Sequence, residues 1–493
     1  MVAALALSGC VVGPDFKTPP APTQSGYEAG RTLQKTVSTS GPDGCAQVFD
    51  RTRQVRSDWY RLFGSPALDA LIEQALTGNP TIAAGRARLA AAQEAVNAVA
   101  GGRYPHLEAG ADVSRSRVTG RSIGLEEPLF VQSFTLYQTQ LSADYELDLF
   151  GALARQIESQ QALAEVQRDR LLETRLTLID NVVASALTEA VARAALRATE
   201  KIAAAQRAIL QLVEQQEAYG AAQRSDVLNP RQQLADIEAT LPALQQQIAV
   251  ARHRLAILTG QAPADYRGHR FTMNDFTLPA RLPLSLPSQL VRQRPDVLAA
   301  AGVMHAELAR VGVASARLLP DFRLTAAYGR VGLHPGDLAD APGAIWNIGA
   351  QLMAPLFEGG TLRAQKRAAQ DQYRATAADY RKTALKAFAE VADALRALDN
   401  DARTLRSRQQ ALDAAQQALA VVEGRYQAGA ADLLDVYAAR QRQQRAAIRS
   451  TQARLARLTD TATLFRALGG GWWNASASAA SAAVYPTTPK TSS

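Results

Sequence analysis

Hydrophobic and charged positions along this chain are dominated by two very long helical stretches. Residues 152–219 run for 68 positions without glycine or proline, and residues 361–423 run for 63 more. Their leucine, isoleucine and valine side chains recur on a narrow stripe with charges between them, which is typical of helices that pack against other helices rather than lipid. The first stretch alone would span about 100 Å, so we predict tubular or coiled-coil helices rather than globular ones.

Each long stretch ends near a glycine and is followed by a second helical stretch. The turns are predicted at Gly220 and Gly429, and the returning stretches at Asp226–Leu258 and Asp432–Leu468. The chain is therefore predicted to form two long antiparallel helical hairpins.

Two strand-like segments precede each long helix. Their apolar and polar residues alternate with period two, and the run over residues 135–149 is far longer than an average strand. The other segments are residues 107–114, 322–328 and 346–356. This pattern favours transmembrane β-strands, and the alternative is a soluble hairpin with one wet face. Four strands cannot close a barrel, which needs about eight, so two or three copies of the chain are expected to share one.

The two halves of the chain share one plan. Pro80 and Pro295 begin equivalent Ala-rich stretches 215 residues apart, and the turns at Gly220 and Gly429 lie 209 residues apart. Such a period indicates an internal repeat. The predicted regions are an N-terminal tether or wrap at 11–56, a first repeat at 57–270, a second repeat at 271–468 and a flexible C-terminal tail at 469–493.

Composition and charge leave this architecture unchanged. The chain has 47% hydrophobic and 20% charged residues, enough for a sizeable core, and a net charge of +8. Basic residues lie beside acidic ones along the helices, which indicates solvated helix faces and no nucleic-acid partner. The sequence lacks a continuous apolar run of the length of a membrane-spanning helix, so such a helix is not expected.

The two cysteines are not expected to pair. Cys10 ends an apolar run that resembles a bacterial lipobox, so residues 1–10 are predicted to be a lipoprotein signal peptide and Cys10 a lipid anchor. Neither valine after it is the aspartate that retains lipoproteins at the inner membrane. No basic region precedes the apolar run, so either the true start codon lies elsewhere or Cys10 is a buried thiol. Cys45 lies in a turn-like segment and is assigned no chemical role.

Several motifs in a fixed order resemble the TolC-like outer-membrane efflux proteins, specifically the lipoprotein branch that serves resistance-nodulation-division (RND) pumps. The motifs are Leu7-Ser8-Gly9-Cys10, Val12-Gly13-Pro14-Asp15-Phe16, Tyr145-Glu146-Leu147-Asp148-Leu149-Phe150-Gly151, Leu286-Pro287-Ser288, Arg294-Pro295-Asp296 and Pro355-Leu356-Phe357-Glu358-Gly359-Gly360. The resemblance covers about residues 10–473. It implies an α+β membrane protein, a homotrimer whose 12-stranded β-barrel takes four strands from each chain and continues into a tube of α-helical hairpins. It also implies docking through a periplasmic adaptor to an inner-membrane RND transporter.

The resemblance places a periplasmic gate at the turns near Gly220 and Gly429. Tyr426 matches the gating tyrosine of the family, Leu434 matches the constricting leucine of the lipoprotein branch, and Asp435 matches the first ring aspartate. These residues are therefore expected to line the closed aperture.

This sequence departs from the family at the second ring aspartate. Ala438 stands at that position, and Asp432 lies one turn before Asp435 on the same helical face, so the two aspartates are a candidate substitute pair. The alternative is that both aspartates only lie in the first turn of a helix, where a negative charge interacts favourably with the helix dipole.

Two arginines near the turns are candidate salt-bridge partners between hairpins, with plain solvated positions as the alternative. They are Arg231 and Arg440, and the repeat relates Arg231 to Arg440 and Asp226 to Asp435. Because Pro230 in the first hairpin corresponds to an alanine in the second, one hairpin is expected to be stiffer and the other to move on opening.

The sequence offers no convincing catalytic or metal-binding arrangement. The Gly-x-Ser-x-Gly pattern at residues 120–124 lacks the strand and helix of a nucleophile elbow, and five histidines are scattered. We predict no enzyme and no cofactor apart from the covalent lipid on Cys10. The predicted function is a lipid-anchored outer-membrane exit duct of an RND pump for drugs or other small toxic compounds. The alternatives are a type I secretion or heavy-metal efflux channel and, in another class, a lipid-anchored coiled-coil scaffold without a pore.

Overall fold

The computed structural model describes residues 11–24, 26–28, 33–119, 131–339 and 341–474 of the 493-residue chain. Cys10 with its lipobox, the glycine-rich pattern at 120–124 and the tail beyond residue 474 lie outside these described residues. The described chain divides into two compact units. The first contains residues 11–18, 89–166 and 300–380, and the second contains residues 19–88, 167–299 and 381–474.

Nine α-helices form within the described residues. They are α1 (Pro66–Gly78), α2 (Pro80–Ala100), α3 (Ala152–Ala218), α4 (Arg224–Glu238), α5 (Leu241–Leu258), α6 (Pro287–Leu290), α7 (Pro295–Ala316), α8 (Thr361–Gln427) and α9 (Leu433–Ala467). By length and composition alone, α7 is long and apolar enough to cross a membrane, although no membrane-spanning helix was expected from the sequence. Half of the most apolar window of α7 is buried. Such burial is equally typical of a packed core helix.

The two long helices confirm the predicted repeat. Helices α3 and α8 contain 67 residues each, and their first residues, Ala152 and Thr361, lie 209 positions apart, as do their last. Buried residues of α8 recur every three or four positions, as in a coiled-coil seam. They are Ala387, Val391, Ala394, Leu398, Ala402 and Leu405. The narrow stripe expected from the sequence is therefore a helix-packing seam.

The returning limbs of the two hairpins differ. The second limb is the continuous helix α9, as predicted. The prediction of one helix over Asp226–Leu258 is wrong, because α4 ends at Glu238 and α5 begins at Leu241. Pro242 stands in the first turn of α5, where its missing N–H costs nothing, and it could not continue α4 without losing a backbone hydrogen bond. At this break the Thr240 hydroxyl donates to the Ile237 carbonyl at 2.7 Å.

Four long strands form one antiparallel sheet in the first unit, as the alternation predicted. The strands are β2 (His106–Thr119), β3 (Val131–Leu147), β5 (Asp321–Gly332) and β6 (Ala344–Met353), and their order is β2-β3-β5-β6. A short parallel pair, β1 (Val48–Asp50) and β4 (Arg281–Pro283), lies in the second unit and was not predicted. Strands of three residues leave too little pattern for sequence periodicity to detect.

The strand register gathers apolar side chains on one face of the long sheet. Ala109 pairs with Leu141, Leu141 with Tyr328, and Tyr328 with Trp346, so one apolar row crosses all four strands. A parallel row contains Leu107, Ala143, Ala326 and Ile348. The opposite face is polar, and there Arg323 lies 3.7 Å from Asp144 and 3.6 Å from Glu146.

A segment near the N-terminus, residues 33–50 and here called the strap, packs on the second hairpin. Arg457 of α9 is fully buried and donates to the Asp43 carbonyl at 2.8 Å, the Thr36 hydroxyl at 3.0 Å and the Cys45 carbonyl at 2.7 Å. Arg454 binds the Asp43 carboxylate at 2.7 Å. The strap is thus an ordered wrap, and the exposed Cys45 thiol is free.

Candidate functional site at the hairpin turns

Both hairpin turns use the same glycine-dependent geometry. Gly220 and Gly429 have φ values of 72° and 71°, a region that side-chain-bearing residues rarely adopt. The N–H of Ala221 donates to the Gln216 carbonyl at 2.7 Å, and the N–H of Ala430 donates to the Arg425 carbonyl at 2.8 Å. Each of these hydrogen bonds spans six residues, as in the Schellman motif that ends many helices. The motif lets the chain reverse within a few residues.

Asp432 caps the helix that leaves the second turn. Its Oδ1 accepts a hydrogen bond from the Asp435 N–H at 2.8 Å, which makes Asp432 the N-cap of α9. The carboxylate of Asp435 is exposed and has no partner among the described residues. Asp432 is therefore the N-cap and Asp435 lies in the first turn of α9, so the positions of both residues also fit the helix-dipole alternative given above.

The first turn uses its aspartate differently. Asp226 lies in the first turn of α4, and its Oδ2 accepts a hydrogen bond from the Gln223 N–H at 2.9 Å. Gln223 and Asp226 are the repeat equivalents of Asp432 and Asp435. The carboxylate at the third helical position is thus engaged with backbone in the first hairpin and free in the second.

The two arginines bind carboxylates of their own hairpins instead of joining the hairpins together. Arg231 lies 2.8 Å from Glu214, and Arg440 lies 2.9 Å from Glu423. The repeat relates these two pairs, so each hairpin has an ion pair between its two helices at the same distance from its turn. Each pair is largely exposed, and such ion pairs contribute at most about 1 kcal/mol.

Tyr426 and Leu434 flank the second turn. Tyr426 is 44% exposed, and its carbonyl accepts the Gly429 N–H at 3.0 Å. Leu434 is half-buried in the first turn of α9. Sequence reasoning missed Tyr219, which is 88% exposed beside Gly220. An aromatic residue immediately before a turn glycine was the signal for it.

A buried amide that sequence reasoning also missed joins the hairpins. Gln206 of α3 is 1% exposed, and its Nε2 donates to the Pro230 carbonyl of α4 at 3.1 Å. Its Oε1 accepts a hydrogen bond from Gln441 Nε2 of α9. The available signal was the repeat itself, since alanines occupy the second-half positions equivalent to Gln206 and Pro230.

One titratable pair lies further along the second hairpin, where α8 faces α9. Asp401 Oδ2 is buried with no donor among the described residues. Burial, and then the hydrogen bond with Asp460, raises the pKa of Asp401 to about 7. The repeat equivalents of these residues are Ala192 and Ala251, both buried, so the first hairpin has no such pair.

The residues just after the predicted lipid anchor are fixed in the first unit. Arg155, near the start of α3, donates to the Val12 carbonyl at 3.3 Å and the Gly13 carbonyl at 3.2 Å. It also binds the carboxylate of Asp15 at 2.7 Å. Cys10 itself lies outside the described residues. No group of three or more candidate metal-ligating side chains occurs in the described part of the chain.

Comparison with known proteins gives one consistent result. The outer membrane efflux protein family model matches residues 71–261 and 286–470. The pyoverdine export outer membrane protein OpmQ of Pseudomonas putida is 30% identical over 442 residues, covering 89% of this chain and 93% of that protein. The toluene efflux pump outer membrane protein TtgF of Pseudomonas putida is 28% identical, covering 96% of each chain. The solved structure of the outer-membrane channel OprN superposes with a TM-score of 0.81 at 29% identity, covering 94% of this chain and 100% of that one.

Proposed function

Because the chain belongs to the outer membrane efflux protein family and is the outer-membrane channel of a tripartite efflux pump, we propose that three copies make the working duct. In this assembly each chain contributes four strands to a 12-stranded barrel and two hairpins to a helical tube that extends into the periplasm. The tube docks through a periplasmic adaptor to an inner-membrane RND transporter. The duct conducts passively and has no enzymatic activity.

The open four-stranded sheet is the observation that carries this proposal. Strands β2 and β6 are its two edges, and neither pairs with another described strand on its outer side. In a membrane an unpaired edge is costly, because lipid offers no hydrogen bonds. Three sheets joined edge to edge give a barrel of twelve strands and leave no unpaired edge. Two sheets would give a barrel of only eight strands, and the interior of such a barrel is filled by its own side chains.

The two faces of the sheet suit this barrel. The apolar rows through Leu141, Trp346 and Ile348 face lipid, and the charges of Arg323, Asp144 and Glu146 face the water-filled lumen. A soluble hairpin would have to cover the apolar rows, yet Trp346 and Ile348 are 73% and 80% exposed. Their exposure supports a lipid-facing wall.

A lipid anchor on Cys10 and a gate at the hairpin turns complete the proposal. The Cys10 thiol carries a diacylglyceryl group in the outer membrane, and the following residues are tied down by Arg155. At the hairpin turns Tyr426, Leu434 and Asp435 narrow the aperture. Threefold symmetry brings three unpaired Asp435 carboxylates together, which favours cations in the constriction.

Cargo is set by the transporter that feeds the duct. The relatives compared above are named for pyoverdine export and toluene efflux, which supports small toxic or exported compounds as cargo. Neither a type I secretion partner nor a metal cargo is favoured by any residue in the described sites.

The protein mass of the particle extracted from outer membranes in mild detergent tests the proposal. Three chains of 52.8 kDa give about 158 kDa after subtraction of detergent. Ile348→Arg places a charge on the lipid face, costs about 2–4 kcal/mol near the bilayer midplane and should abolish the membrane-embedded particle. Asn347→Arg, one residue away on the lumen face, is the matched control and should keep it. A monomeric particle, or equal behaviour of the two variants, would contradict the shared barrel.

A further inference from the structure

The buried amide of Gln206 is asymmetric between the two hairpins. It bonds both to its own returning limb, at Pro230, and to the second hairpin, at Gln441. The repeat equivalent of Gln206 is Ala415, whose side chain has no hydrogen-bonding group. The second hairpin therefore cannot offer an equivalent amide from α8.

The repeat also shows where this link is missing. In the repeat, α8 is the equivalent of α3 and α4 is the equivalent of α9. The contact between α3 and α9 inside one chain therefore corresponds to a contact between α8 and α4, which in a ring of copies would join neighbouring chains. At that contact Ala415 would face Gln232, an exposed residue and the equivalent of Gln441. The amide link thus ties together the two hairpins of one chain and has no counterpart between chains.

The link lies close enough to the turns to control their separation. Gln206 is twelve residues before α3 ends at Ala218, or about 18 Å along the helix. Gln441 follows Arg440, whose ion pair with Glu423 joins only the two helices of the second hairpin. Among the hydrogen bonds described near the turns, those of Gln206 are the ones that join α3, α4 and α9 at a single side chain.

Breaking the link has a defined cost. Gln206 is almost completely buried while α9 packs against it, so moving α9 away breaks the hydrogen bond from Gln441 and exchanges it for hydration, at the net cost of one intramolecular hydrogen bond. The bond to Pro230 persists in that case, because α3 and α4 belong to the same hairpin. Movement of the second hairpin against the first is therefore opposed by one buried hydrogen bond per chain.

We propose that Gln206 is a positioning residue of the gate, which holds α9 against α3 through Gln441 in the resting channel and releases it on opening. This proposal rests on the gate at the hairpin turns proposed above. Gln206 touches no cargo and acts through the second hairpin, which carries Tyr426, Leu434 and Asp435.

Single-channel conductance of the full-length protein in planar bilayers tests this role. Gln206→Leu keeps the size of the side chain but removes both hydrogen bonds, and Gln441→Leu removes only the bond between hairpins. Each should raise the open probability at least about five-fold, the factor that loss of roughly 1 kcal/mol produces. Gln232→Leu, at the equivalent exposed position, is the control and should leave it unchanged. Particle mass and thermal midpoint are measured in parallel, since a merely structural role would change them and not the gating.

A cross-link gives the converse test, even where Gln206→Leu fails to fold. Gln206→Cys with Gln441→Cys, in a Cys45→Ser background, is treated with a bifunctional methanethiosulfonate that spans more than a disulfide can. The cross-linked channel should stay at low conductance and regain opening after dithiothreitol. Unchanged gating in both tests, with a conducting wild-type trimer, would overturn the role of Gln206 alone. A wild-type protein that never conducts would overturn the proposed duct and this inference together.

Discussion

Asp401 on α8 and Asp460 on α9 should make the stability of the second hairpin depend on pH. Burial and the neighbouring carboxyl raise the pKa of Asp401 to about 7, while the nearby Arg457 guanidinium lowers it. The folded chain therefore keeps a proton that the unfolded chain loses above about pH 4. Stability contributed by this proton falls as pH rises from about 4 to about 7 and changes no further above that range.

The size of the effect follows from the difference between the two protonation equilibria. The pKa of Asp401 is raised from its ordinary value of 3.8 to about 7 in the folded chain, and this difference is equivalent to about 4 kcal/mol. Because Asp401 is only half-buried, screening by solvent reduces this to about 1–2 kcal/mol. Asp401→Asn removes the titration and can still donate a hydrogen bond to Asp460, so it should stabilise the protein at pH 8 by that amount.

Thermal unfolding in detergent between pH 5 and pH 8 measures this prediction. Asp401→Asn should raise the thermal midpoint at pH 8 by about 1–3 °C, and its advantage should shrink towards pH 5. Asp393→Asn changes an exposed carboxylate of the same helix and is the control, which should follow the wild-type profile. If Asp401→Asn kept the wild-type dependence on pH, the two carboxyls would not share a proton, and the reasoning from their burial would be refuted.

Three other substitutions have defined outcomes. Gly429→Ala forces a side chain into positive φ and should cost about 1 kcal/mol, read as a lower thermal midpoint; an unchanged midpoint would show that the turn relaxes. Arg457→Met removes three hydrogen bonds to the strap and should accelerate proteolytic cleavage within residues 33–50 several-fold; an equal rate of cleavage would refute the role of Arg457 in holding the strap. Arg440→Ala should lower the free energy of unfolding, measured by chemical denaturation, by less than about 1 kcal/mol, because the pair with Glu423 is exposed; a larger loss would contradict this reasoning.

Sequence periodicity predicted the elements that depend on local pattern. The stripe of α8 and the alternation along β3 are each set by residues a few positions apart, so their type and approximate extent were readable. The break between α4 and α5 was missed because Pro242 is equally at home in the first turn of a new helix. Pairing of Arg457 with Thr36 joins residues 421 positions apart, and no local pattern encodes such a contact.

The candidate site divided in the same way. Glycine turns are local signals, and Gly220 and Gly429 were found from them. Asp226 was found through the repeat, and Asp432 through its place one turn before Asp435. The family resemblance supplied Tyr426, Leu434 and Asp435. Gln206 looked like one more polar residue of a long helix, and its importance became visible only when the fold brought α9 alongside α3.

The bare edges of the four-stranded sheet have a consequence for biogenesis. Until it meets its neighbours, a newly exported chain has unpaired N–H and C=O groups along β2 and β6 and an apolar face that includes Trp346 and Ile348. Such a surface invites aggregation. The yield of channels should therefore fall when chains are made faster than their sheet edges find partners.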